Sequence, residues 1–133
     1  MTLEEVLAII DGKAISRNLD LSLPVSMACG ADLMSDVLAF THAGTLLLTG
    51  LTNPQVVRTA EMAGIQAIVF VRGKYPPAET IALAEQENIP LLASHYTMYE
   101  TCGRLYQAGL ASCGLFELAL KTWREAFGED PQP

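Results

Sequence analysis

The sequence predicts a three-layer α/β/α fold with a mainly parallel sheet of four to five strands and helices on both faces. Three observations lead there. First, one pattern recurs four times: VSMACGADLMSDVLAFTHAG, TLLLTGLTNPQVVRTAEMAG, AIVFVRGKYPPAETIALAEQEN and PLLASHYTMYETCGRLYQAG each read as an apolar run, a polar loop and a helix-patterned stretch. Second, the runs at 46–48, 67–71 and 91–93 are continuously apolar, as in strands buried on both faces of a parallel sheet. Third, Gly44, Gly64 and Gly109 stand where a helix closes on a left-handed residue, and Asn88 takes that place in the third unit.

Each element follows in order. Thr2 and Glu5 are spaced as a capping box, and Leu3, Val6, Leu7 and Ile10 form one apolar stripe, so a short helix opens the chain. Residues 13–23 alternate at Leu19, Leu21 and Leu23, which suits a small edge strand or an extended connection. In the second unit Asn53-Pro54 starts a helix whose core face is Val56, Val57, Ala60 and Ala63, and Pro76-Pro77 starts the next. Met98, Cys102 and Leu105 make the core stripe of the fourth helix. A last helix is expected over about 114–127, followed by a frayed tail at 128–133. The whole chain, 1–133, reads as a single domain.

Composition narrows the function. The 133 residues are 50% hydrophobic, enough for a core that needs no disulfide or metal staple. Fifteen acidic against 8 scattered basic residues give a net charge of -7, so nucleic acid is not an expected partner. No apolar run approaches the roughly 20 residues of a membrane helix, and the acidic N-terminus does not resemble a signal peptide, so a cytoplasmic location is expected. Cys29, Cys102 and Cys113 lack metal-ligand or disulfide-framework spacing and read as buried thiols, with Cys29 at the end of a strand. No metal or cofactor is expected.

In a parallel sheet the strand C-termini share one edge, where open α/β sheets bind ligands. That edge collects Cys29, Gly30 and Asp32, then Thr49, Gly50, Thr52 and Asn53, then Arg72, Gly73 and Lys74, and finally Ser94, His95 and Thr97. Arg72 and Lys74, next to free helix N-termini, make a small anion such as a nucleotide a candidate ligand. Turn and cap chemistry also accounts for these residue types, and no phosphate-binding glycine motif is present. Asp32 is expected to cap the first of the repeated helices and Asp36 to face solvent or the helix dipole; His42 is expected to complement the dipole at that helix's far end.

The stretches GADLMSDVLAF, GTLLLTGLTNPQVVRTAEMAGIQAIVFVRGK and IPLLASHYTMYETCGRLY resemble the DRTGG domain in its small stand-alone form, over roughly residues 10–108. Such domains are similar to the N-terminal domain of HPr kinase/phosphorylase and occur beside CBS domains in regulatory pyrophosphatases and in phosphotransacetylases, without carrying the catalytic residues. The resemblance implies a regulatory or dimerising role. The family's name comes from Asp-Arg at a helix start and Thr-Gly-Gly after the next strand. Thr52-Asn53 and Val71-Arg72-Gly73 are the expected counterparts here, with only the last glycine retained, and Arg72 offers a positive charge from the opposite loop.

Three functions compete on this sequence. The first is a non-catalytic regulatory module, homodimeric, that senses a small anion at the strand-end edge. The second is a small enzyme acting on a phosphorylated or carboxylated metabolite, which needs His95 and Cys29 to converge. The third is a ligand-free interaction module. The homodimer expectation rests on Leu115, Phe116, Leu118, Ala119, Leu120, Trp123 and Phe127, which cover more of a helix than packing on one core requires.

Overall fold

The computed structural model describes residues 1–113 and 117–132. In chain order the elements are α1 (Leu3–Ile9), β1 (Lys13–Ala14), β2 (Met27–Gly30), α2 (Met34–Phe40), β3 (Thr45–Thr49), α3 (Pro54–Ala63), β4 (Ala67–Phe70), α4 (Ala78–Gln86), β5 (Leu91–Ala93), α5 (Met98–Gln107), β6 (Ala111–Ser112) and α6 (Glu117–Phe127). The strands form one sheet in the order β1-β5-β4-β3-β2-β6. All neighbours are parallel except β1, which runs antiparallel to β5. The α/β expectation therefore holds, with six strands instead of four to five. The difference lies in β1 and β6, whose two residues each are too few to show a hydrophobic period.

Because β2, β3, β4 and β5 are neighbours in chain order, right-handed crossovers place α2, α3 and α4 on one face. There α2 packs on α3, and α3 on α4. The chain then turns back: α5 crosses the other face beside α1 and delivers β6 to the far edge, next to β2. The period of two in the strands divides the core accordingly. Leu46, Leu48, Ala67, Val69, Val71 and Leu92 face α1 and α5, while Leu47, Ile68, Phe70 and Leu91 face α2, α3 and α4.

The helix signals are met at most ends. Thr2 and Glu5 form the capping box of α1, with Leu3, Val6 and Ile10 fully buried. Gly64 closes α3 in the left-handed region at φ 72°, and Asn88 follows α4 at φ 56°. Ala43-Gly44 is a correction. Helix α2 stops at Phe40 because Thr41 turns extended, while its backbone N–H and hydroxyl both bond the Val37 carbonyl. Gly44, at φ 86°, instead turns the chain into β3. His42 consequently lies beyond the end of α2, where its carbonyl accepts from the Thr45 hydroxyl.

The 13–23 segment contains the small edge strand, β1 at Lys13–Ala14, and then continues without strand through 19–23, where the Asp20 carboxylate accepts from the Ser22 backbone and hydroxyl, which lowers its pKa. Ala111 and Ser112 form an edge strand, and within the described residues the last helix runs from Glu117 to Phe127; Leu115 and Phe116 lie outside them. Trp123 and Phe127 on α6 are 43% and 63% exposed, so the helix is not wedged inside this chain. Beyond it, Gly128 bonds back to Arg124, whose side chain pairs with Asp130.

Leu47→Ala is expected to cost about 2–5 kcal/mol, because its side chain is fully buried between β3 and α3 and a cavity would remain. Leu21→Ala, at a 41% exposed turn position, should stay within about 0.5 kcal/mol. Urea unfolding of both variants checks the contrast.

Candidate functional site

The C-terminal ends of β2, β3 and β4 meet in one polar node. Asp32, just past β2, turns its carboxylate toward the end of β3 and does not cap α2, whose N-cap is Leu33 without a side-chain bond. Its Oδ1 accepts the Gly50 backbone N–H at 2.8 Å and the Thr49 hydroxyl at 3.0 Å. The expected capping role gives way to this tertiary one because adjacent parallel strands bring the Gly50 donor within reach. Thr49 Oγ1 in turn accepts from Leu51 N at 3.2 Å, so one carboxylate organises the whole 49–51 turn. Thr49 and Gly50 are buried and Asp32 is exposed.

Arg72 completes the node from the β4 end. It stands at φ 65°, a conformation unfavourable for a side chain with a Cβ, and Gly73 follows at φ 69°. Two bonds to the β5–α5 loop hold this shape: Arg72 N to the Tyr96 carbonyl at 2.7 Å and Gly73 N to the Ser94 carbonyl at 3.0 Å. The guanidinium then lies over Gly50, so closely that a Cβ on Gly50 would overlap it. Only glycine leaves that room. Among the described residues the exposed Arg72 side chain makes no ion pair.

The remaining expected site residues have local tasks. Ser94 is buried; its hydroxyl donates to the Ile10 carbonyl at 2.8 Å and accepts from Tyr96 N. His95 leaves the node and meets Asp11 at 3.1 Å, exposed, beside the α1–β1 corner. Thr97 caps α5 through Glu100 N. Asn53 is the exposed N-cap of α3 with no side-chain bond, and the Thr52 carbonyl accepts from Thr80 at 2.7 Å. Lys74 is exposed next to Gly73. Sequence reasoning missed Tyr96, whose ring stacks on His95 and carries the Arg104 guanidinium 4.2 Å from its centroid.

Cys29 and His95 do not converge. They follow or occupy β2 and β5, three strand spacings apart, roughly 14 Å. Burial pushes the Cys29 thiol up to about 12, helped by the neighbouring Cys113, Cys102 and Asp36, so it stays protonated near neutral pH. No cluster of three metal-ligating side chains is present among the described residues.

A strand-end node of this kind on a β-α repeat defines a small α/β module whose polar residues organise the 49–51 turn. Residues 5–108 match the DRTGG domain, and the chain belongs to that family. No curated protein matches it in sequence. Among solved structures it is similar to the CBS and DRTGG domains of the regulatory region of Clostridium perfringens pyrophosphatase, complexed with the activator diadenosine tetraphosphate. The TM-score is 0.62 at 11% identity, a likeness of fold, over 96% of this chain and 61% of that one. The chain thus spans under two thirds of the structure it matches.

Family and geometry together correct the placement of the name-giving pattern. Asp at a helix start and Thr-Gly after the next strand fit Asp32 and Thr49-Gly50 more fully than Thr52-Asn53 and Val71-Arg72-Gly73, since Asp32 precedes α2 and bonds the residues ending β3. Leu33 and Leu51 stand at the arginine and second glycine positions.

Asp32→Ala is expected to destabilise the fold by about 1–3 kcal/mol, since the buried Thr49 hydroxyl and Gly50 N–H lose their acceptor. Asp36→Ala, exposed on α2, should be near neutral. Chemical denaturation of the pair is the check.

Proposed function

We propose that this chain is a non-catalytic regulatory module of the cytoplasm that senses a small anionic ligand, a nucleotide, at the C-terminal edge of its sheet. The observation that carries this reading is the Arg72 guanidinium, exposed, without an ion pair among the described residues, and held by a strained backbone over Gly50. A guanidinium presents a planar fork of donors suited to phosphate. Lys74 and the exposed start of α3 at Asn53 add positive potential on the same edge. The similarity to a regulatory region that was crystallised with a nucleotide activator supports the same ligand class. The enzyme alternative lacks its convergent pair.

Thermal shift against a panel of nucleotides, phosphosugars and carboxylates tests the reading; a ligand at one hundred times its Kd raises stability by about 2.7 kcal/mol. Arg72→Ala should weaken the bound nucleotide about 10- to 100-fold, consistent with loss of a charged hydrogen bond, and more than Lys74→Ala. Gly50→Ala should fold and weaken binding like Arg72→Ala, because its new methyl displaces the guanidinium. Glu85→Lys, exposed on α4, is the unchanged control. Equal affinity in the Arg72 and Lys74 variants, or no shift with any compound, overturns the assignment.

We also infer a homodimer through α6. On this helix Ala119, Trp123, Ala126 and Phe127 border a shallow cavity against Phe40 of α2, and the Trp123 and Phe127 rings lie 4.5 Å apart while remaining accessible. Aromatic side chains of this kind are enriched in interface cores, and two-fold dimers are the commonest soluble oligomers. Sedimentation at micromolar concentration should give a dimer that Trp123→Glu converts into a folded monomer; a monomeric wild type refutes it.

A further inference from the structure

The three cysteines, far apart in sequence, gather around β2. Met27 pairs with Ala111 and Ala28 with Ser112, so the parallel register continues to Cys29 beside Cys113. The Cys113 backbone N–H bonds the Ala28 carbonyl at 3.2 Å, which holds that residue at the sheet edge. The two thiols are close enough to hydrogen bond. Adjacent strands lie about 4.8 Å apart, inside the Cα separation of about 4.4–6.8 Å that a disulfide spans.

Cys102 reaches β2 from the opposite side. Its Sγ lies 2.7 Å from where a Cβ on Gly30 would stand, and Gly30 pairs with Leu48, which faces α1 and α5. Cys29 pairs with Leu47, which faces α2 and α3. The sheet therefore separates Cys102 from the pair.

We propose that Cys29 and Cys113 form a reversible disulfide that fastens β6, and the chain leading to α6, to the body of the sheet. The oxidant is a low-molecular-weight disulfide such as oxidised glutathione. The Cys113 thiolate attacks one of its sulfurs, breaking the S–S bond and releasing one thiolate. The Cys29 thiolate then attacks the Cys113 sulfur of the mixed disulfide and expels the second. Two protein thiols are oxidised, one external disulfide is reduced to two thiols, and the two protein protons end on the released thiolates. Cytosolic disulfides, where they occur, are of this transient, redox-sensing kind. In the reduced state β6 is a two-residue edge strand whose strand neighbour is β2.

The test treats the full chain with oxidised glutathione at alkaline pH, followed by alkylation and non-reducing tryptic mapping. Each cysteine falls in its own tryptic peptide, 18–58, 75–104 or 105–121. The expected result is a monomer lighter by about 2 Da before alkylation, with 18–58 joined to 105–121 and Cys102 alkylated. Dithiothreitol should reverse it, Cys102→Ser should retain it, and Cys29→Ser should abolish it. Glutathione adducts alone, three alkylated thiols, a bond through 75–104 or a link between chains would each overturn the proposal. The wild-type map decides even if a variant does not fold.

Discussion

Every residue of β3 and β4 is buried, from Thr45 to Thr49 and from Ala67 to Phe70, and the rest of the molecule answers to that constraint. A sheet whose central strands are apolar on both faces must be covered twice. Consecutive crossovers supply α2, α3 and α4 to one side. The other side is closed only because α5 returns across the sheet to α1. The polar side chains buried along the way have partners: Thr45, Thr49, Thr80, Ser94 and Thr101 all donate hydrogen bonds. Thr59 on α3 is the one buried hydroxyl without a partner among the described residues.

The same topology concentrates the polar loops. Parallel strands that end at one edge leave their backbone donors there, and Asp32 takes up the Gly50 donor that β3 leaves free. Its carboxylate couples the exit of β2 to the exit of β3, while the backbone bonds of Arg72 and Gly73 couple the exit of β4 to that of β5. The two couplings meet where Arg72 crosses Gly50. This explains why an arginine is kept in a left-handed conformation: its backbone is fixed by Tyr96 and Ser94, and the glycine beneath it accepts the guanidinium. The strain is small, about 1–2 kcal/mol, against the two hydrogen bonds that fix it.

At the opposite edge the structure is thinner. Strand β6 contributes two residues, and α6 beyond it keeps Trp123 and Phe127 in contact with each other and accessible to solvent. The β2–β6 edge therefore combines a two-residue pairing with the clustered thiols. Burial of Cys29 protects it from casual reaction at neutral pH, so any chemistry there depends on its neighbour.

The linear order of residues was sufficient for the elements with strong local signals. The capping box at Thr2 and Glu5, the left-handed closers Gly64 and Asn88, and the apolar runs of β3 and β4 each depend on neighbours within a few positions, and each appears where the pattern put it. The two-residue strands carry no period, so the sequence only brackets β1 within 13–23 and gives no sign of β6. The strand-end edge was legible as a list of residues but not as a geometry. Asp32 looked like a cap because local spacing cannot show that Gly50, eighteen residues on, would offer a better donor. Arg72 was legible as a charge, but its place over Gly50 depends on a backbone turn held from the β5–α5 loop. Cys29 and Cys113 are 84 positions apart, and only the return of α5 across the sheet makes them neighbours. Short-range hydrogen bonding and periodicity are written in consecutive residues; which strands lie side by side is decided by burying both faces of β3 and β4 at once.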